Sequence, residues 1–204
     1  MEIKVNHPII ADQFSRIRQE TTLNEFRDAL EIISTLLAFP VLSELKTNNF
    51  VAKSVLNSEF SGSKLAQNIV FVPILRAGFG MIPAFIKLIP NAKIAPLGLK
   101  RNPDLSTSSY FSQLPAPNSN SVAIILDPIL ATGNSQITAI EYLIAAGYEK
   151  IVIATILVAQ EGIEKIREKY PKIPIYYCQK DEKMNEKGYI IPGIGDAGDR
   201  FFGD

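Results

Sequence analysis

The sequence predicts an α/β fold with a mainly parallel central sheet and helices on both faces, and three observations point to it. Short apolar runs rich in β-branched residues alternate with amphipathic patterns from Ile69 to Cys178, the rhythm of strand, crossover helix and parallel strand. The chain has 204 residues, 47% of them hydrophobic, which is enough for one full core, so residues 1–204 are expected to form a single domain. Its longest apolar run, Ile151 to Ala159, is far short of the ~20 residues that cross a bilayer and suits a buried strand.

From Asn24 to Leu37 the residues Phe26, Ala29, Leu30, Ile33, Leu36 and Leu37 recur at helical spacing, with Pro40 shortly beyond, which predicts an amphipathic helix. Thr47 to Gln67 is the least legible stretch, with a small hairpin as its reading. Then come a strand at Ile69–Leu75, a helix at about Gly80–Leu88, a strand at Ile94–Leu99 and a strand at Val122–Leu126. A helix at Ser135–Ala146, a strand at Ile151–Val158, a helix at Gly162–Tyr170 and a strand at Ile173–Cys178 complete the pattern. Ligands of such sheets bind beyond the carboxyl ends of the strands, which directs attention to the turns after Leu75, Leu99 and Leu126. Between Lys100 and Ser121 lies a polar segment holding Arg101, Asp104, Tyr110 and Phe111. A connection of this length is either a lid or binding loop or a plain surface excursion.

Composition excludes several kinds of chemistry. Lys plus Arg and Asp plus Glu are both 21, so no bulk positive field is available to hold a nucleic acid, and any anion must be held locally. The N-terminus, Met1-Glu2-Ile3-Lys4, lacks a secretory apolar stretch, and a cytoplasmic protein without a membrane segment is expected. One cysteine, Cys178, and one histidine, His7, allow neither an internal disulfide, nor a common Cys/His zinc site, nor a His-based nucleophilic triad. Cys178 is expected in the core and His7 in a structural or surface role. Catalysis would rest on carboxylates, arginines and backbone amides.

After the strand Val122–Leu126 comes Asp127-Pro128-Ile129-Leu130-Ala131-Thr132-Gly133-Asn134-Ser135, leading into a helical pattern. An acid at a strand end followed by a small-residue loop opening a helix suits a phosphorylated sugar. The carboxylate accepts bonds from ribose hydroxyls, while amides at the helix start, with Thr132 and Ser135 hydroxyls, hold the phosphate. Read alone, a loop of this size is better taken as an ordinary strand-to-helix turn capped by Asn134 or Ser135, and further residues must decide.

This stretch resembles the 5-phosphoribosyl 1-diphosphate (PRPP) motif of type I phosphoribosyltransferases, in the variant of the uracil-specific branch where Pro follows the acid. The resemblance continues in Pro73-Ile74-Leu75-Arg76-Ala77-Gly78, in Lys100-Arg101-Asn102, and in the long block Gly188-Tyr189-Ile190-Ile191-Pro192-Gly193-Ile194-Gly195-Asp196-Ala197-Gly198-Asp199-Arg200-Phe201-Phe202-Gly203, with a weaker echo in Arg18 to Arg27. It implies a type I phosphoribosyltransferase-like fold with a flexible loop and a small hood from the terminal segments. It also implies transfer of the phosphoribosyl group from PRPP to uracil, giving UMP and pyrophosphate, with Mg²⁺ carried by the donor. By resemblance Arg76 and Arg101 contact the diphosphate, Asp127 to Ser135 and Asp196 bind PRPP, and Ile190, Gly195, Asp196 and Ala197 bind uracil. A homodimer or higher homo-oligomer and a GTP effector are further implications. Read alone, Arg76 is an ion pair at a strand end and Arg101 a solvated surface charge.

The match departs at Asn134, where a second glycine is usual, at the shortened Ala159-Gln160-Glu161-Gly162 turn, at Ala38-Phe39-Pro40-Val41, and at Asp204, where relatives usually show Thr. Other readings are a phosphoribosyltransferase for a different base, a regulatory relative, and a nucleotide-sensing module without turnover.

Overall fold

Residues 1–101 and 107–204 are described by the computed structural model, with residues 101, 107 and 108 described by backbone alone. The chain opens with strand β1 (Glu2–Lys4) and helices α1 (Pro8–Ile17) and α2 (Leu23–Leu42). His7 caps α1, its Nδ1 accepting from the Ile9 N–H at 3.1 Å, and Pro8 takes the first helical position, where its missing N–H costs nothing. Helix α2 begins in a capping box: the Thr22 hydroxyl accepts from the Glu25 N–H and the Glu25 carboxylate accepts from the Thr22 N–H. Contrary to expectation the helix runs through Pro40, and burial of Leu37, Ala38 and Val41 holds that last turn despite the lost backbone bond.

The illegible stretch is a hairpin, β2 (Thr47–Lys53) with β3 (Glu59–Leu65). Next come β4 (Asn68–Leu75), a 3₁₀ turn (Ala77–Met81), α3 (Ile82–Leu88), β5 (Lys93–Ile94) and β6 (Leu97–Arg101). The strand expected at Ile94–Leu99 is therefore split, because Pro96 has no N–H to give to the ladder. β7 (Thr107–Ser112) pairs antiparallel with β6, so part of the polar segment after Lys100 is regular structure. β8 (Ser121–Leu126), β9 (Ile129–Leu130), α4 (Asn134–Ala145), β10 (Lys150–Ala159) and α5 (Gln160–Lys169) follow. Then β11 (Ile175–Asp181) starts two residues late, behind Pro174. The chain closes with β12 (Lys183–Met184), β13 (Ile190–Ile191) and α6 (Ala197–Phe202).

The main sheet has the order β1-β11-β10-β8-β4-β6-β7, with β5 beside β4 and β9 beside β10. Its pairings are parallel except β6 with β7. Side chains alternate between two apolar layers as the pleat requires. Val122, Ile124 and Leu126 of β8 join the layer of Phe26, Leu30 and Phe85 from α2 and α3, whereas Ala123 and Ile125 join the layer of Ala139, Ile140 and Ile163 from α4 and α5. Cys178 is buried in the first layer, and burial pushes its thiol up to about 12. No helix among the described residues is long and apolar enough to cross a membrane.

Candidate active site

Beyond the carboxyl ends of β9 and β10, beside Ala77 after β4, lies a cleft of about 290 Å³. One wall is the loop from Ile129 to Gln136, and the other is the C-terminal segment from Lys187 through Ile190 to Gly198. Two stretches far apart in the chain are thus brought face to face. Ile129, Ala131, Thr132, Gly133, Asn134 and Ser135 line the cleft together with Ile190, Gly195, Asp196 and Ala197.

Helix α4 starts at the first wall. Gly133 holds a left-handed backbone, φ +79°, and opens the helix with no side-chain cap, so the positive end of the helix dipole lies at the cleft. Asn134 needs no left-handed geometry, because Gly133 already supplies it; its Oδ1 accepts from Lys165 Nζ at 2.6 Å. The shortened Ala159–Gly162 stretch forms the start of α5 and touches this wall directly, where a Cβ on Gly162 would lie 2.2 Å from the Ala131 carbonyl oxygen and 2.4 Å from Leu130 Cδ2. Gly162, in the first turn of α5, is what lets the loop close against that helix.

Asp127 lies beneath the wall at 8% exposure. Gln136 Nε2 donates to its Oδ2 at 2.8 Å and to the Ile129 carbonyl at 3.1 Å, and the Ile129 N–H donates to its Oδ1 at 3.4 Å. Burial pushes the Asp127 carboxyl up to about 7, against the Ile129 N–H, which favours the carboxylate. Pro128 and Leu130 do not reach the cleft: the Pro128 carbonyl accepts from the Ile156 and Leu157 N–H groups, and Leu130 is buried in the core.

Arg76 is likewise not in the cleft wall. Its guanidinium bonds Asp199 at 2.9 Å and Asp204 at 2.5 Å and lies over the Phe202 ring, and the Asp204 bond leads the groups that hold it charged. This is the ion pair that Arg76 suggests when read alone. The side chain of Arg101 lies outside the described residues, as do 102–106. The two carboxylates of the C-terminal block have separate tasks. Asp196 caps α6 by accepting from the Gly198 and Asp199 N–H groups, and Asp199 pairs with Arg76.

Several residues that shape this wall were not singled out as site residues from sequence. Arg18 makes a two-pronged bond to Asp181, at 2.8 and 2.7 Å, and donates to the Gly193 carbonyl at 2.9 Å, while the Gly193 N–H donates to Asp181 at 3.1 Å. Burial raises the Asp181 carboxyl, but the Arg18 and Gly193 donors prevail and hold it below its ordinary range. Arg200 donates to the carbonyls of Ile17, Ile194 and Gln19 and to the Thr21 hydroxyl, and stacks on Phe26. The legible signal was an acid at the end of an apolar strand, which Asp181 shares with Asp127.

The family model for uracil phosphoribosyltransferase matches residues 4–204. A uracil phosphoribosyltransferase of Mycoplasma capricolum subsp. capricolum is 40% identical over 202 residues, covering 98% of this chain and 97% of that one. The chain belongs to the uracil phosphoribosyltransferase family. Likeness extends to three dimensions: a solved protein from Aquifex aeolicus superposes with a TM-score of 0.93 at 33% identity, covering 99% of this chain and 98% of that one. A hypoxanthine-guanine phosphoribosyltransferase from Bacillus anthracis str. 'Ames Ancestor', at 11% identity, TM-score 0.51 and coverage of 78% and 80%, shares the type I phosphoribosyltransferase fold.

Proposed function

We propose that this chain, as one phosphoribosyltransferase domain across residues 1–204, transfers the 5-phosphoribosyl group of PRPP to uracil in the cleft between the Ile129–Gln136 loop and the C-terminal block. The observation that carries the assignment is the meeting of these two stretches, an anion-binding helix start on one side and a glycine-turned backbone wall on the other.

In this reading a uracil ring nitrogen attacks the anomeric carbon, the bond to the diphosphate oxygen breaks, and pyrophosphate leaves as UMP forms. The α4 start, with Thr132 and Ser135, holds the 5-phosphate, and Asp127 accepts from the ribose hydroxyls. Gly195 to Ala197 and Ile190 orient uracil through main-chain groups. Arg101 and Arg76 face the diphosphate; for Arg76 this requires exchanging its Asp199 and Asp204 partners for donor oxygens. Catalysis is positioning plus electrostatic stabilisation, with no covalent intermediate.

The residues fit a Mg²⁺ ion delivered by the donor. Among the described residues no three His, Cys, Asp or Glu side chains gather into a cage, while the hydroxyls and Asp196 at the cleft offer the few oxygen ligands that such an ion takes. Bound there, Mg²⁺ would neutralise charge on the departing pyrophosphate.

The protein is proposed to act in the cytoplasm as a homodimer or higher homo-oligomer, supported by the apolar residues that the β2–β3 hairpin exposes. GTP is carried as an effector, to be tested by rates with and without it. The deciding assay is pyrophosphate release from PRPP with uracil, cytosine, uridine and purine bases. Release with uracil alone is expected, and a uracil-to-cytosine efficiency ratio near unity, or efficient use of a purine, overturns the uracil assignment.

A further inference from the structure

The turn from Ile190 to Gly195 is held by charged groups that never touch the cleft. Gly193 has φ +63°, and a Cβ there would lie 2.0 Å from the Ile190 carbonyl oxygen, so only glycine fits here, close against the Ile190 backbone. Both polar groups of Gly193 end on one ion pair: its N–H on Asp181 Oδ2 at 3.1 Å, and its carbonyl on Arg18 Nη1 at 2.9 Å. Arg18 is the C-cap of α1 and Asp181 ends β11, so the pair ties the turn at once to the N-terminal helix and to the parallel sheet. The side chain of Asp181 is 5% exposed and that of Arg18 23%, with the Arg18 guanidinium also lying over the Phe14 ring at 4.7 Å.

A buried ion pair is weak evidence for stability, since apolar residues of similar volume often serve as well. No apolar pair could accept the N–H and donate to the carbonyl of one glycine. We propose that Arg18 and Asp181 are positioning residues for base recognition: acting through Gly193, they set where the Ile190 backbone stands and hence how strongly uracil is preferred to cytosine. The inference rests on the assignment of Ile190 and Gly195 to the uracil site. Uracil and cytosine present opposite donors and acceptors at two adjacent ring positions, so a main-chain reader discriminates only if its amides and carbonyls are held still. Arg200 holds the neighbouring Ile194 carbonyl at 2.7 Å, so the Arg18–Asp181 pair controls the Gly193 side of the turn specifically.

The test is steady-state kinetics with uracil and with cytosine in the native protein, Asp181→Asn and Arg18→Lys, with melting temperatures measured beside them. Displacement on the ångström scale at a recognition group costs up to about a hundredfold. The expectation is therefore a rise of about tenfold or more in the KM for uracil, with a comparable fall in the uracil-to-cytosine efficiency ratio. The KM for PRPP should stay within about twofold, because the α4 wall is untouched. Arg18→Lys keeps the charge but lacks the two-pronged fork, and should fall between native and Asp181→Asn. If Asp181→Asn fails to fold, Arg18→Lys decides. A folded Arg18→Lys with native uracil KM and native base ratio overturns the inference, and so do equal rises in KM for both substrates. Failure of the native protein to prefer uracil instead brings down the functional assignment itself, which separates the two failures.

Discussion

Asp127 carries opposite demands at two atoms of one carboxyl. Burial raises it to about 7, yet binding ribose hydroxyls calls for the charged form. A folded-state value raised above the usual carboxylate range means that the stability it contributes is complete below about pH 4 and is lost as the pH rises through about 7. Donor binding should move the other way, with the KM for PRPP falling as the pH rises through that same interval. Asp127→Asn is expected to flatten that dependence beyond what PRPP's own titration produces, and to gain stability relative to native protein between pH 5 and pH 8. It should retain partial activity where Asp127→Ala loses more, and equal, complete inactivation by both would point to an obligatory charge instead. Gly162 makes a second prediction at this scale. Its added methyl would meet backbone at 2.2 Å, so Gly162→Ala should cost about 1–3 kcal/mol, read as a lower urea midpoint, and raise the KM for PRPP.

At the scale of elements, the short helix α6 is held from several sides: Asp196 caps it, Arg76 binds Asp199 and Asp204 around it, Arg27 Nε donates to the Phe201 carbonyl, and Arg200 reaches back to Ile17 and Ile194. Its first residue, Ala197, is buried and lines the cleft. Ala197→Phe should therefore abolish measurable uracil binding while PRPP binding, followed calorimetrically, persists; retained uracil affinity would remove Ala197 from the base pocket. The β6–β7 pair leads to Arg101, which bears on the diphosphate alone in the proposed mechanism. Arg101→Ala is expected to raise the KM for PRPP by at least about tenfold, as the loss of a charge-assisted phosphate contact would, at an unchanged melting temperature. Native donor kinetics in that variant would exclude it from the site.

Across the whole molecule, the β2–β3 hairpin leaves Val51 at 73%, Val55 at 101% and Leu56 at 85% exposure. An apolar arm so exposed favours burial against another surface. If the proposed homo-oligomer forms through this hairpin, Val51→Lys combined with Leu56→Lys is expected to lower the mass seen by sedimentation, and an unchanged mass would exclude the hairpin as its contact. The alternation of β-branched runs with helical periods from Ile69 onward was legible from sequence because each segment's burial is written locally, in its period of apolar residues. β1 was not legible, since three residues of strand carry too little periodic signal and their partner lies on β11; α1 does carry a helical period in Ile10, Phe14 and Ile17, left unassigned at the level of sequence. The cleft was legible as two separate blocks, Asp127 to Ser135 and Gly188 to Gly203, and the sheet order is what sets them face to face. By itself the sequence determined the α/β class, the family blocks and the chemistry left to a chain with one histidine and one cysteine. Only the tertiary structure decided that Arg76 rests on carboxylates, that Asp127 is buried under Gln136, and that Arg18 and Asp181 meet across 163 positions to hold a glycine. Partners so distant in the chain leave no period or local motif behind; their contact exists only once the sheet has brought the strand ends together.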